Sequence, residues 1–226
     1  MTTYLITGAN RGIGFAMARH ALSRGHGVIA TARRPDVATD LKTLKGDLSV
    51  RALDVTDQSS LDAFALATSE TIDIAVLNAG ILNSRGGLES PDHTVESWRD
   101  VLVTNVAGPF LTARTILPNL QQSKSPKIAI ISSNMGSSAT ASGTAYPYRA
   151  SKAGANNVAA NLANELSQRG IAVGTYHPGW VRTDMGGQNA DVSAEDSSAG
   201  LLDRFDALSL ETTGVFESYD GKPLIF

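Results

Sequence analysis

The chain contains no cysteine. That excludes disulfides and thiolate metal sites, and it permits a reducing compartment without proving one. No run approaches the roughly 18 apolar residues of a membrane-spanning helix. The start, "MTTYLITGAN", has neither the basic region nor the long apolar segment of a secretion signal. No sign of charge dominates either, since 19 basic and 22 acidic residues are mixed along the 226 positions for a net charge of -3. A polyanion such as nucleic acid finds no basic field to hold it. The four histidines (His20, His26, His93 and His177) stand without metal-ligand spacing, and internal repeats and low-complexity segments are missing. The expectation is a soluble, cytoplasmic protein that binds no metal, membrane or nucleic acid.

What is present is alternation. With 42% hydrophobic residues the chain can bury one sizeable core. Short apolar runs rich in β-branched residues recur between longer amphipathic stretches, the pattern of βαβ units around a parallel sheet covered on both faces. Strands are predicted near Tyr4–Thr7, Gly27–Thr31, Leu48–Leu53, Ile74–Leu77, Lys127–Ile131 and Ala172–Tyr176, with a weak seventh at Leu224–Phe226. Helices are predicted at about Gly12–Ser23, Ser59–Thr68, Thr94–Gln121, Tyr148–Arg169 and Ala194–Leu208, with Gly170 as a C-cap after Arg169. The fold class is α/β: a doubly wound parallel sheet of Rossmann type in a single domain spanning residues 1–226.

Two motifs carry a cofactor argument. In "YLITGANRGIGFAMA", Gly8, Gly12 and Gly14 fall between the first strand and the first helix, where glycine lets backbone N–H groups approach a pyrophosphate at the positive end of the helix dipole. The spacing Gly-x-x-x-Gly-x-Gly is not the better known Gly-x-Gly-x-x-Gly, so the strand-turn-helix context has to support it. At the end of the second strand, in "GVIATARRPD", the acidic residue that an NAD site presents to the ribose hydroxyls is replaced by Ala32, and Arg33 and Arg34 follow. With Arg11 in the glycine loop, these guanidinium groups suit a 2′-phosphate, and the expected cofactor is NADP(H).

A third motif carries chemistry. In "AYPYRASKAG", Lys152 lies four residues after Tyr148, on one helix face, whereas Tyr146 has Ala150 at that offset. A neighbouring ammonium favours the phenolate and lowers the phenol pKa from about 10, which equips Tyr148 to exchange a proton with a carbonyl or alcohol oxygen. Ser132 and Ser133 end an apolar strand at the edge where such sheets bind ligands, and either hydroxyl can meet a substrate oxygen. Asn105 interrupts an apolar helix, where a buried amide needs partners.

Taken with "LDV" at 53–55, "LNAG" at 77–80 and "HPGWVRTDM" at 177–185, these segments resemble the short-chain dehydrogenase/reductase family over essentially the whole chain. "SSNMGS", "AYPYRASKAG" and "HPGWVRTDMGG" are similar to its C-factor and sniffer-type carbonyl reductase branch. The resemblance implies that Ser133 positions the carbonyl and Tyr148 donates the proton. Lys152 then holds the nicotinamide ribose and depresses the Tyr148 pKa, and Asn105 supports a water-mediated proton relay. It also implies that Asp54 meets the adenine amine, that Val55, Asn78, Ala79 and Gly80 line the adenosine side, and that Pro178, Gly179, Val181 and Thr183 cradle the nicotinamide end. Ile13 joins the glycine loop in the cofactor set. Leu77 departs from the family's usual Asn-Asn-Ala-Gly. A small substrate lid is expected at about Gly186–Ser198, over an open pocket. The Thr94–Gln121 and Tyr148–Arg169 helices are implied to pair across a homodimer or homotetramer. The function implied is reduction of a small-molecule aldehyde or ketone to its alcohol. The alternatives are a dinucleotide-binding regulatory protein of C-factor type and an NAD-linked alcohol dehydrogenase.

Overall fold

Tyr4, Leu5 and Ile6 point alternately to opposite faces of the first strand, β1 (Thr3–Ile6), yet all three are buried, so each face must be covered. The computed structural model describes residues 1–226 and shows how. β1 lies in one parallel sheet with β2 (Gly27–Ala32), β3 (Leu48–Ala52), β4 (Ile74–Leu77), β5 (Lys127–Ile131), β6 (Ala172–His177) and β7 (Phe216–Ser218), in the order β3-β2-β1-β4-β5-β6-β7. Leu5, Ile29, Leu77, Ile128 and Val173 pack against α2 (Gln58–Ala67), α4 (Gly108–Thr115) and α6 (Tyr146–Ser167). Tyr4, Ile6, Val76, Ala129 and Tyr176 pack against α1 (Gly12–Ser23) and α7 (Ala194–Ala207). The chain winds outward on both sides of β1 and β4, so the turns that leave these two neighbours diverge and open a crevice between them.

Four boundaries differ from expectation, each for a local reason. The seventh strand is Phe216–Ser218 rather than Leu224–Phe226. The chain turns at Gly221 (φ 81°), and Leu224 donates its N–H back to the Phe216 carbonyl at 2.8 Å, so the C-terminal residues flank β7 instead of joining β6. The predicted helix Thr94–Gln121 is broken into α3 (Val95–Leu102), a wide π turn at Val103–Ala107, α4 and the short α5 (Leu117–Leu120). Pro109 explains the first break, since it has no N–H to give to the Asn105 carbonyl four residues back. α6 starts at Tyr146 rather than Tyr148, because Pro147 is tolerated in a first helical turn and Ala145, held at φ 50°, donates its N–H to the Gly86 carbonyl at 2.9 Å. The expected lid is divided: residues 186–193 turn back so that Val192 pairs with Trp180 and Arg182, whereas 194–198 belong to α7, capped by Ser193.

Candidate active site

The glycine turn is held shut by the residue after β4. The Asn78 amide donates to the carbonyls of Thr7 (2.9 Å) and Gly8 (3.3 Å), and the Thr7 hydroxyl accepts from the N–H groups of Asn78 (2.9 Å) and Ala79 (3.0 Å). A methyl group on Gly14 would stand 2.5 Å from the Gly8 carbonyl oxygen and 2.6 Å from the Asn78 amide nitrogen, which leaves glycine alone able to fit. Gly8 and Gly12 take φ values of 64° and 56°, in the left-handed region that suits glycine. No side chain caps α1, so its leading N–H groups stay open to an anion at the positive end of the helix.

From this turn a cleft of about 1110 Å³ runs across the carboxyl ends of β1, β2, β4 and β5. At one end, beyond β2, Ala32 is buried while Arg33 and Arg34 are exposed, and neither arginine is engaged by a carboxylate of this chain. Asp54 lines the same end, its carboxylate oriented by the Thr56 N–H (2.9 Å) and hydroxyl (2.7 Å). Arg11 differs in having a partner, an exposed pairing with Asp184 at 3.5 Å.

At the other end stand Tyr148 and Lys152. The Lys152 Nζ lies 5.5 Å from the centre of the Tyr148 ring and donates to the Ile131 carbonyl at 2.8 Å. The side chain is only 5% exposed and faces no carboxylate, so burial pulls its pKa down to about 8. Burial pushes the half-buried Tyr148 phenol up to about 12, against the opposing pull of the Ser133 hydroxyl and the Arg85 guanidinium beside it. The depressed phenol expected from the Tyr148–Lys152 spacing is therefore not present in the cofactor-free chain. Desolvation of the phenol outweighs the Ser133 hydroxyl and the Arg85 guanidinium.

The two serines are separated by their partners. Ser132 is turned into the core, donating to the Asn156 side chain at 2.5 Å and to the Lys152 carbonyl at 3.3 Å. Ser133 faces Tyr148, accepts from the Met135 N–H at 3.1 Å and donates to the Asn134 side chain only at 3.3 Å. Although Ser132 is the one of the pair that borders the cleft, the Ser133 hydroxyl is the more weakly held and the nearer to the phenol. Asn105 spends both amide N–H groups, on the Ile81 carbonyl and the Ser151 hydroxyl, each at 2.9 Å, and its Oδ1 accepts from the Ile81 N–H at 2.9 Å. It clamps the segment after β4 to α6. A β-carbon on Gly80 would sit 3.2 Å from this Oδ1 and 3.6 Å from the Lys152 Nζ, so Gly80 leaves the channel between them clear.

The cleft gathers most of the residues singled out in the sequence: Gly8, Arg11, Gly12, Ile13, Gly14, Arg33, Asp54, Val55, Asn78, Ala79, Gly80, Tyr148, Lys152, Pro178 and Thr183. Gly179 and Val181 do not line it. Gly179 (φ 86°) turns the chain against Tyr219, and Val181 is buried, its segment pairing with Val192. Asn105 and Ser133 adjoin the cleft from behind Gly80 and beside Tyr148. Arg99, Thr104 and Met185 line it without having been anticipated, because a helix face and a loop wall leave no spacing signature.

Fold and cleft together define a doubly wound dinucleotide-binding protein. A family model described as short chain dehydrogenase matches residues 2–193. The C-signal protein of Myxococcus xanthus is 35% identical over 151 residues, covering 66% of this chain and 90% of the relative. An NADPH-bound carbonyl reductase from chicken fatty liver superposes with a TM-score of 0.88 at 30% identity, over 100% of this chain and 99% of the other. The carbonyl reductase Sniffer of D. melanogaster gives 0.91 at 27% identity, over 100% of both chains. The chain belongs to the short-chain dehydrogenase/reductase family, in the C-factor and sniffer-type branch, and is an oxidoreductase of the nicotinamide-dinucleotide-binding kind.

Proposed function

We propose that this oxidoreductase is an NADPH-dependent carbonyl reductase that converts an aldehyde or ketone to its alcohol, with Tyr148 as proton donor. The observation that carries the reading is the Lys152 ammonium, nine-tenths buried and more, with one of its three N–H donors used and no carboxylate in reach, next to the Tyr148 phenol. A buried cation with free donors costs stability unless something binds there, and the paired hydroxyls of a nicotinamide ribose supply acceptors of the right kind.

The rest of the cleft fits the same group. The glycine turn and the uncapped start of α1 offer N–H groups to a pyrophosphate, and Arg33 and Arg34 offer unpaired guanidinium groups to a 2′-phosphate. Bound NADPH supplies hydride to the carbonyl carbon. Ser133 donates a hydrogen bond to the carbonyl oxygen and aligns it with the Tyr148 hydroxyl, which delivers the proton as negative charge develops. A phenol pushed up to about 12 is protonated near neutrality, which suits it to giving a proton. Lys152 restores the charge balance as the phenolate forms. Both amide N–H groups of Asn105 are taken, so a water chain to Lys152 would meet it at its main-chain carbonyl, which Pro109 leaves without the usual helical donor.

Nucleotide consumption with NADPH and NADH in parallel, against aldehydes, ketones, quinones and 3-oxoacyl esters, tests the reading. Turnover with NADPH preferred supports it, and Arg33→Ala then weakens NADPH far more than NADH. Equal losses for the two nucleotides would count against a 2′-phosphate contact. The identity to C-signal favours a second reading, in which nucleotide binding serves a regulatory role. Tight NADPH binding without turnover would favour it, although a pure binding module has no need of the Ser133, Tyr148 and Lys152 set.

A further inference from the structure

Resting on the reductase reading, one cation beside Tyr148 is left without a role: Arg85, in the segment that follows β4. Its backbone is fixed to the helix that carries Tyr148, because the adjacent Gly86 carbonyl accepts the Ala145 N–H at 2.9 Å, where α6 begins. Its side chain donates through Nη2 to the carbonyl of Met185, a residue that lines the cleft. Met185 is itself steadied by the next residue, whose carbonyl accepts the Trp180 indole N–H at 2.8 Å. The exposed Arg85 guanidinium thus meets the cleft wall at Met185, while its own segment is tied to the start of α6.

The guanidinium is underused in this position. It makes one hydrogen bond out of five available donors, and no carboxylate of the chain forms an ion pair with it. The acidic residue next to Met185, Asp184, faces Arg11. The other arginine in this neighbourhood, Arg149, is taken up by the Thr140 carbonyl (2.8 Å), the Ser142 hydroxyl (2.7 Å) and the Met135 carbonyl (3.4 Å), and holds its own loop. Arg85 is close enough to stabilise a negative charge on Tyr148, and no acidic side chain acts on that phenol in opposition. Arg85 therefore has no carboxylate partner in the chain, and a planar guanidinium with free donors matches a carboxylate.

We infer that Arg85 anchors the substrate through a carboxylate, so that the preferred substrates are aldehydes or ketones bearing a carboxylate group near the carbonyl. The reaction is unchanged: hydride and a proton add across the C=O bond, NADPH is oxidised to NADP+, and the carboxylate takes no part beyond binding.

The test compares ortho-, meta- and para-carboxybenzaldehyde with the methyl ester of each, using NADPH and the intact protein, which samples several separations of anion and carbonyl. Wild type is expected to favour at least one acid over its ester by about tenfold or more in kcat/KM, a range set by a charge-assisted hydrogen bond. Arg85→Gln should erase that preference, Arg85→Lys should keep part of it, and added salt should reduce it. The ratio is the readout because any change in the Tyr148 phenol acts on acid and ester alike. Ester turnover with no acid favoured, or a preference that survives in Arg85→Gln, would overturn the proposal and leave the reductase reading standing. Failure of wild type to reduce any of these acids or esters while it turns over other carbonyls would also overturn the proposal, and failure across the wider panel of carbonyls would remove the reductase reading as well.

Discussion

Lys152→Met separates what the buried ammonium does for function from what it costs in stability. The side chain is 5% exposed and its pKa falls from 10.5 to about 8, so between those values the unfolded chain binds more protons than the folded one. Stability therefore rises with pH across that window. The penalty for the charge is fully present below about pH 8 and vanishes above about pH 10.5. Integrating over the two values gives a penalty of about 3 kcal/mol at pH 7 and about 1 kcal/mol at pH 9.5. Methionine has similar length and no charge, so it removes the penalty, and it also removes the 2.8 Å bond to the Ile131 carbonyl. The loss of that bond does not depend on pH, so the change with pH isolates the ammonium. Urea unfolding without nucleotide should show the stability of the variant relative to wild type shrinking by about 2 kcal/mol from pH 7 to pH 9.5. Turnover by the variant should be lost at both. A difference constant across that range would refute the claim that Lys152 is a desolvated cation awaiting a ligand.

Other outcomes follow from contacts in the same cleft. Gly14→Ala places a methyl 2.5 Å from the Gly8 carbonyl oxygen and should cost about 1–3 kcal/mol while weakening NADPH binding, read by urea unfolding and nucleotide titration. Ser132→Ala and Ser133→Ala should part company. The first loses the 2.5 Å bond to the buried Asn156 and lowers stability by about 1–3 kcal/mol with little effect on kcat. The second loses the cap on the Met135 N–H, costing about 1 kcal/mol, but reduces kcat by about tenfold or more. The reverse pattern would assign the substrate contact to Ser132.

The inner strands were legible because they are buried on both faces and read as short apolar runs, and the edge strand β3, partly exposed as LSVRA, still shows alternating apolar residues. The other edge, β7, contains Glu217 and Ser218, and such a strand carries no apolar run to find. The glycine turn, the arginines after β2 and the Tyr148–Lys152 pair were legible because their spacing is set by local geometry. The π turn at 103–107 was legible only in part, since Pro109 marks a missing helical donor, whereas the contacts of Asn105 with Ile81 and Ser151 that accompany the turn lie far away in sequence. The protonated state of Tyr148 was hidden for a similar reason: spacing places the ammonium beside the phenol, but only packing reveals that both are desolvated. Arg85 has no motif at all, and its position depends on contacts with residues some 60 and 100 places away.

Tyr148→Phe tests the central claim most directly, because it deletes one hydroxyl in a wall that otherwise stays in place. The account predicts that NADPH titrates the variant with nearly unchanged affinity, while reduction of the best carbonyl substrate falls by about a hundredfold or more, as loss of a positioned proton donor requires. Comparable turnover by the variant and wild type would contradict the assignment of Tyr148 as proton donor.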